Sequence, residues 1–200
     1  MKTFRYLLWA AILILGAFLA WSTLDWTFRD ISSAPSRKVG ADIGGPFTAQ
    51  LVDGSRFTQA DMMGRPHMVF FGFTHCPEVC PTTLYEAGQW LNELGDDGNK
   101  IDVYFVTVDP QRDTPQVLGQ YLTAFDKRIN GITGSPEQIA TLVKAWRVYS
   151  ERVETDDDYT MNHTATTYLM TAKGQFFGTI AYGESAATAV QKLKRLVRHK

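Results

Sequence analysis

The chain has 200 residues, with 20 basic side chains against 21 acidic ones and a formal net charge of -1 at pH 7. Near neutrality, without a basic stripe interleaved with aromatics, excludes the usual electrostatic footprint of a nucleic-acid binder. Setting aside one apolar segment at the N-terminus leaves about 160 residues, enough for one α/β domain with a sizeable core and too few for two.

That segment, Tyr6 to Leu24, carries no charge and follows Lys2 and Arg5. As a helix its ~19 residues would span about 28 Å, close to the hydrocarbon thickness of a bilayer. Trp9 and Trp21 fall near its two ends, as interfacial aromatics do. Its apolar core is long for a signal peptide, no small-x-small cleavage site follows, and no cysteine stands near for lipidation. Residues 1–25 therefore read as a single-pass anchor. Residues 26–45, mixed in charge and dotted with Ser, Pro and Gly, read as a tether. Arg29, Arg37 and Lys38 blunt the charge asymmetry across the segment. A leading tail without an Arg- and Ser-rich transit pattern points to a bacterial inner membrane, and a cysteine pair able to cycle places the domain on the periplasmic side.

Residues 46–200 carry the domain. Phe47 to Val52, the Asp53-Gly54 turn and Arg56 to Thr58 predict a hairpin. Met68 to Phe73 has the length and aromatic content of a buried strand, and it runs into the chain's only two cysteines, Cys76 and Cys80. Pro77 and Pro81 suit first-turn positions, which predicts a helix beginning around the cysteine pair and running to Leu94. On one helical turn the i, i+4 spacing puts both sulfurs on one face at the positive end of the helix, where a thiolate is favoured. Ile101 to Val108 is a second buried strand, delivering the loop Asp109 to Pro115 at its end. Helices are predicted over Pro115 to Phe125 and, after a Ser135 cap, over Pro136 to Val148. Thr164 to Met170 and Gln175 to Ala181 are strands joined by Lys173-Gly174, and the amphipathic Ser185 to Arg198 closes the chain. Strands alternating with helices, then a terminal hairpin and helix, give an α/β thioredoxin-like sandwich with a cysteine motif after a central strand.

His163 ends a polar stretch that opens with Asp156-Asp157-Asp158, and in a thioredoxin topology this stretch faces the cysteine-bearing helix. Two thiolates and an imidazole form a soft, low-coordinate set suited to Cu(I), and to Cu(II) when a further ligand or water approaches. Zinc is the rival ion, although structural zinc normally takes four protein ligands. A purely structural Cys76–Cys80 disulfide would close too short a loop to stabilise the chain by much. His75 reads as structural or as a tuner of the thiols. His67 and His199 read as solvated, Asp156 to Asp158 as a solvated run, and Asp109, Arg112 and Asp113 as a loop held by an Arg–carboxylate pair. The methionines form no copper-binding cluster.

Gly72-Phe73-Thr74-His75-Cys76-Pro77-Glu78-Val79-Cys80-Pro81, Val108-Asp109-Pro110 with Arg112-Asp113-Thr114-Pro115, Gly131-Ile132-Thr133-Gly134, and His163 before Tyr168-Leu169 together resemble the Sco/SenC family. The resemblance covers nearly the whole chain. It implies a membrane-tethered, thioredoxin-like copper protein of cytochrome c oxidase assembly, with Cys76, Cys80 and His163 as copper ligands. Where family members commonly carry Val-Asp-His, this chain has Met161-Asn162-His163, which removes a carboxylate beside the histidine.

Two functions follow. As a metallochaperone, the domain passes copper by ligand exchange to the copper A subunit of the oxidase. As a thiol–disulfide oxidoreductase, it uses Cys76 and Cys80 as a redox-active pair that keeps oxidase cysteines reduced, alongside other periplasmic copper or thiol-redox proteins. The metallochaperone is the expected function, because thioredoxin-type reductases use CxxC faced by a proline loop. Here the spacing is one residue longer and the last proline is Pro136. No catalytic residue outside the cysteine pair is expected, and the peroxiredoxin pattern before the first cysteine is missing.

Overall fold

The computed structural model describes residues 43–199, so the expected anchor and nearly all of the tether lie outside the described residues. Among the described residues no helix is long and apolar enough to cross a membrane.

The short strands β1 (Thr48–Leu51) and β2 (Arg56–Thr58) form the expected antiparallel hairpin. β3 (His67–Gly72) is buried along its whole length. It runs parallel to β4 (Asp102–Thr107), with Phe70 opposite Phe105 and Gly72 opposite Thr107. On its other side it pairs antiparallel with β8 (Thr166–Met170), which pairs with β9 (Phe176–Ala181). A strand walled on both edges and covered on both faces reads as a continuous apolar run, which is why this one is conspicuous in the sequence.

Beyond β4 lies β5 (Ile129–Thr133), giving a seven-stranded sheet in the order β2-β1-β5-β4-β3-β8-β9. β5 is an element the sequence hides, since Asn130-Gly131 reads as a turn. Gly131 is there for clearance: a Cβ would lie 2.6 Å from Val52 and 2.7 Å from Leu122.

Among the described residues four α-helices cover the sheet. α1 (Val79–Glu93) buries Cys80, Leu84, Ala87 and Leu91, the i, i+4, i+7, i+11 stripe of one helical face. It packs beside α4 (Ala186–Arg198), whose Ser185 cap accepts the N–H of Thr188 at 3.3 Å. α2 (Pro115–Leu122) is capped by Thr114. Its last turn tightens as Thr123 bonds back to Gln120 through both N–H and hydroxyl, so the helix stops short of the expected Phe125. α3 (Pro136–Ala145) begins on the predicted Ser135 cap, where Ser135 and Gln138 exchange backbone and side-chain bonds. It ends before the expected Val148 because Arg147 turns left-handed at φ 53° and the Val148 N–H returns to the Val143 carbonyl at 3.0 Å. Trp146, just past α3, packs on Phe71 and Tyr168 with ring centroids 5.7 and 5.8 Å apart.

β6 (Ser150–Glu154) and β7 (Tyr159–His163) stand apart as a two-stranded sheet. The expected polar loop before His163 is therefore mostly strand, with Ser150 opposite His163 and Arg152 opposite Met161. Ser-Glu-Arg-Val-Glu carries no apolar alternation because most of β6 faces solvent.

Candidate metal centre

The two cysteines do not share a helical turn. α1 starts at Val79, so Cys80 is its second residue, while Cys76 lies in the bend before it and Pro77 stays outside the helix. The expected i, i+4 helical spacing is thus replaced by a capping arrangement. Glu78 at the cap position offers no side-chain bond, and the Cys80 N–H instead reaches Cys76 Sγ at 3.4 Å. The sulfur takes the place of a capping oxygen at the positive helix end, the best local site for a thiolate.

Both cysteines are free thiols, Cys80 buried and Cys76 half-buried. Cys80 packs against the sheet where residue 72 has no side chain. A Cβ there would lie 2.7 Å from Cys80 Sγ and 2.6 Å from the Phe105 ring, so glycine is required for the approach. Donation from the Cys80 thiol, with the Cys80 N–H behind it, holds Cys76 down to about 4 against the opposing effect of burial. The same shared proton, with burial behind it, pushes Cys80 up. The pair titrates as one unit, with the negative charge on the more accessible sulfur.

β7 brings the third donor. His163 Nε2 lies 3.6 Å from Cys80 Sγ, and the donor atoms of Cys76, Cys80 and His163 all fall within 4.8 Å of one another. His163 Nδ1 is 3.1 Å from the Thr164 carbonyl, which can only accept, so Nδ1 carries a proton and the neutral ring keeps its lone pair on Nε2. Phe70 and Phe73 present ring edges to the imidazole, with centroids at 6.1 and 5.8 Å. A soft ion between these atoms replaces the protons they otherwise share, and binding releases those protons.

Two polar assemblies hold these pieces. Asp113, fully buried, accepts the Thr74 N–H at 3.0 Å and the Thr74 and Thr107 hydroxyls, each at 2.6 Å. Burial raises its pKa and these donors oppose the rise. It ties the cysteine bend to the end of β4. The second assembly reaches the histidine strand. Arg112 pairs with Asp109, donates to the Tyr159 carbonyl at 3.0 Å and to Asp158 at 3.1 Å, and lies 3.7 Å over the Tyr159 ring. Tyr159 in turn donates its hydroxyl to Asp109 at 2.9 Å, and Arg152 covers the ring's other face at 3.6 Å. The expected Arg–carboxylate pair is present, yet Asp113 belongs to a different knot, and Asp158, although exposed, is engaged by Arg112. Tyr159 and Arg152 carry no motif signal; the alternation Tyr159, Met161, His163 along β7 marks only the first.

The remaining histidines divide. His75 is exposed and approaches the Thr74 hydroxyl with Nδ1 at 3.0 Å, away from the sulfurs' donor set. His199 is exposed, as expected. His67 is a correction: it is 1% exposed, donates Nδ1–H to the Arg65 carbonyl at 3.0 Å and meets Tyr104 edge-on. Burial lowers its pKa, and its place at the start of the central strand is the reason it is not solvated.

The sequence profile of SCO1/SenC matches residues 35–198. The chain belongs to the SCO1/SenC family. The mitochondrial protein SCO1 of Saccharomyces cerevisiae is 35% identical over 160 residues, covering 78% of this chain and 54% of that protein. Protein SenC of Rhodobacter capsulatus is 37% identical over 134 residues, covering 66% and 61%. The chain spans about half the length of the yeast relatives it matches. Among solved Sco structures, Bradyrhizobium japonicum ScoI with copper bound is 42% identical and aligns over 77% of this chain and 99% of that one, with a TM-score of 0.72. Yeast Sco1 with copper bound is 34% identical, with coverage of 79% and 90% and a TM-score of 0.73. The thioredoxin-like Sco fold of the described residues agrees with the expected sandwich.

Proposed function

We propose that this chain is a copper chaperone of cytochrome c oxidase assembly, which takes up copper on Cys76, Cys80 and His163 and passes it to the copper A subunit. The observation that carries this reading is the convergence of two sulfurs and one lone-pair-bearing imidazole nitrogen within 4.8 Å. That donor set fits Cu(I) directly. The copper-bound Sco relatives support it, and the apolar stretch Tyr6 to Leu24 supports a membrane anchor that keeps the domain beside a membrane-embedded acceptor on the periplasmic side.

In this reading Cys80 and the sheet supply a fixed, water-excluded wall. Cys76 supplies the charged, accessible sulfur that first meets the incoming ion. His163 completes the set from a separate strand, so ligand exchange with an acceptor proceeds from the Cys76 and His163 side.

The accessible Cys76 and buried Cys80 also favour a second reading as a thiol–disulfide oxidoreductase. Cys76 thiolate attacks one sulfur of a partner disulfide and the partner's other sulfur leaves as thiolate. Cys80 then loses its proton to solvent and attacks Cys76 Sγ, the partner's remaining sulfur leaves as thiolate, and two electrons have passed to the partner as Cys76–Cys80 is oxidised.

One titration tests both readings. The full-length chain, fully reduced, is mixed with Cu(I) and Cu(II) against competing chelators, and separately with an oxidised peptide carrying the oxidase's cysteine pair. Stoichiometric copper uptake is expected. Failure to bind either ion while the cysteines reduce the peptide would transfer the function to the second reading.

A further inference from the structure

Met161 lies between Tyr159 and His163 on β7. Alternation along a strand sends these three side chains to one face. Both neighbours declare which face it is: the Tyr159 hydroxyl reaches Asp109, and His163 Nε2 reaches Cys80 Sγ. Met161 is accordingly half-buried and packed against the core, while Asn162 is exposed. Two grooves meet at Met161. The smaller, about 210 Å³, is lined by Phe73, Cys76, Val79 and His163 as well as Met161. The larger, about 530 Å³, runs from Met161 between Asp109 and Pro110 on one side and α3 on the other.

A thioether is a soft, polarisable, uncharged donor on a flexible stem, and it suits copper better than any carboxylate or amide in its place. Three donors satisfy Cu(I), whereas Cu(II) is better served by a fourth, and a long thioether contact beside thiolate and imidazole ligands is a known way to supply it.

Resting on the copper reading above, we propose that Met161 is a fourth, weak thioether ligand to copper held by Cys76, Cys80 and His163. From the boundary between the two grooves it also meets the ion on its way to and from Cys76.

Selenium tests this directly. The full-length chain is prepared with all six methionines as selenomethionine, loaded with Cu(I) or Cu(II) alone, and measured by X-ray absorption at the selenium and copper edges. A copper–selenium scattering path is expected in the parent and not in Met161→Leu. That substitution keeps volume and apolarity and should weaken copper binding about tenfold, the low end of what loss of a ligand's supporting partner does. The Cu(II) absorption bands should shift in the same variant. A loaded parent without the selenium path, or a path that persists in Met161→Leu, overturns the Met161 assignment and leaves the three-ligand site intact. A chain that loads no copper overturns the chaperone reading together with this one.

Discussion

The sulfurs and the imidazole are held by two regions built in opposite ways. Cys80 sits on a helix pressed against the centre of a seven-stranded sheet, with Gly72 and Phe105 beneath it and buried Asp113 bracing the bend above it. His163 sits on a two-stranded ribbon that pairs with no strand of that sheet. Its near half follows the core through Thr164 into β8, but its far half is held by side chains, chiefly Arg112 and Tyr159. Apolar burial fixes the first region in all its parts at once. The second depends on a few charge-assisted contacts at its rim, from Arg112 to buried Asp109, to the Tyr159 carbonyl and to exposed Asp158. Such a site can keep its sulfurs in place while its nitrogen comes and goes.

The contrast can be broken from the rigid side first. Cys76→Ser and Cys80→Ser are each expected to cost Cu(I) affinity far more than the about hundredfold associated with losing a ligand's supporting partner. Chelator competition measures it, and wild-type affinity in either variant would remove that residue from the ligand set. Oxidation to the Cys76–Cys80 disulfide should block loading equally until a reductant is added.

The movable side should separate the two oxidation states. His163→Ala is expected to lower Cu(II) affinity about a hundredfold and Cu(I) affinity less than about tenfold, since Cu(I) tolerates two sulfur ligands and Cu(II) seeks nitrogen. The reduction potential of the cysteine pair should change little. Oxidase copper content in cells carrying only this variant then reports which chemistry the oxidase needs: full loading would favour the thiol-reducing reading.

Arg112→Gln sharpens the comparison further, because it touches no donor atom. Cu(II) affinity should fall about tenfold, and amide exchange should quicken in residues 150–163 while β3 and β4 stay protected. Uniformly faster exchange across the sheet would mean that Arg112 stabilises the whole domain instead of positioning one strand.

The smallest effect is one of pH. An acid whose pKa is lowered stays ionised until the pH falls through the lowered value. With Cys76 held at about 4, its alkylation in the reduced, metal-free chain should change little between pH 8 and pH 5, then decline as the thiolate protonates near pH 4. Mass spectrometry of the labelled peptide locates the adduct, and Cys80 should remain unlabelled throughout. A tenfold loss per pH unit starting from pH 8 would contradict the capped thiolate.

The same division explains what the sequence disclosed. β3, β4 and the four helices were legible because burial writes continuous apolar runs or helical stripes, and Ser135 announced α3. The three donors were legible because the chain has only two cysteines and His163 stands at the entrance to a predicted strand. What stayed hidden rests on contacts that leave no apolar period in the sequence. β5 was masked by a glycine chosen for Val52 and Leu122, and β6 by an exposed face that needs no pattern. Cys76 lying ahead of α1 depends on its sulfur accepting the Cys80 N–H, a contact that proline positions alone misassign to a helical turn. His67 looked like a surface residue because no neighbour in sequence reveals that Tyr104 and the Arg65 carbonyl enclose it.

Gly72 restricts how this centre can be retuned. With the sheet backbone and Phe105 closing one side of Cys80 Sγ, even a methyl group at position 72 would collide with the sulfur and the ring, so no ligand can be added from the sheet side. Any redesign toward a harder ion must work from Cys76, His163 or the solvent side. The floor of the cup is set by a hydrogen atom in β3, and metal preference is adjustable only around its rim.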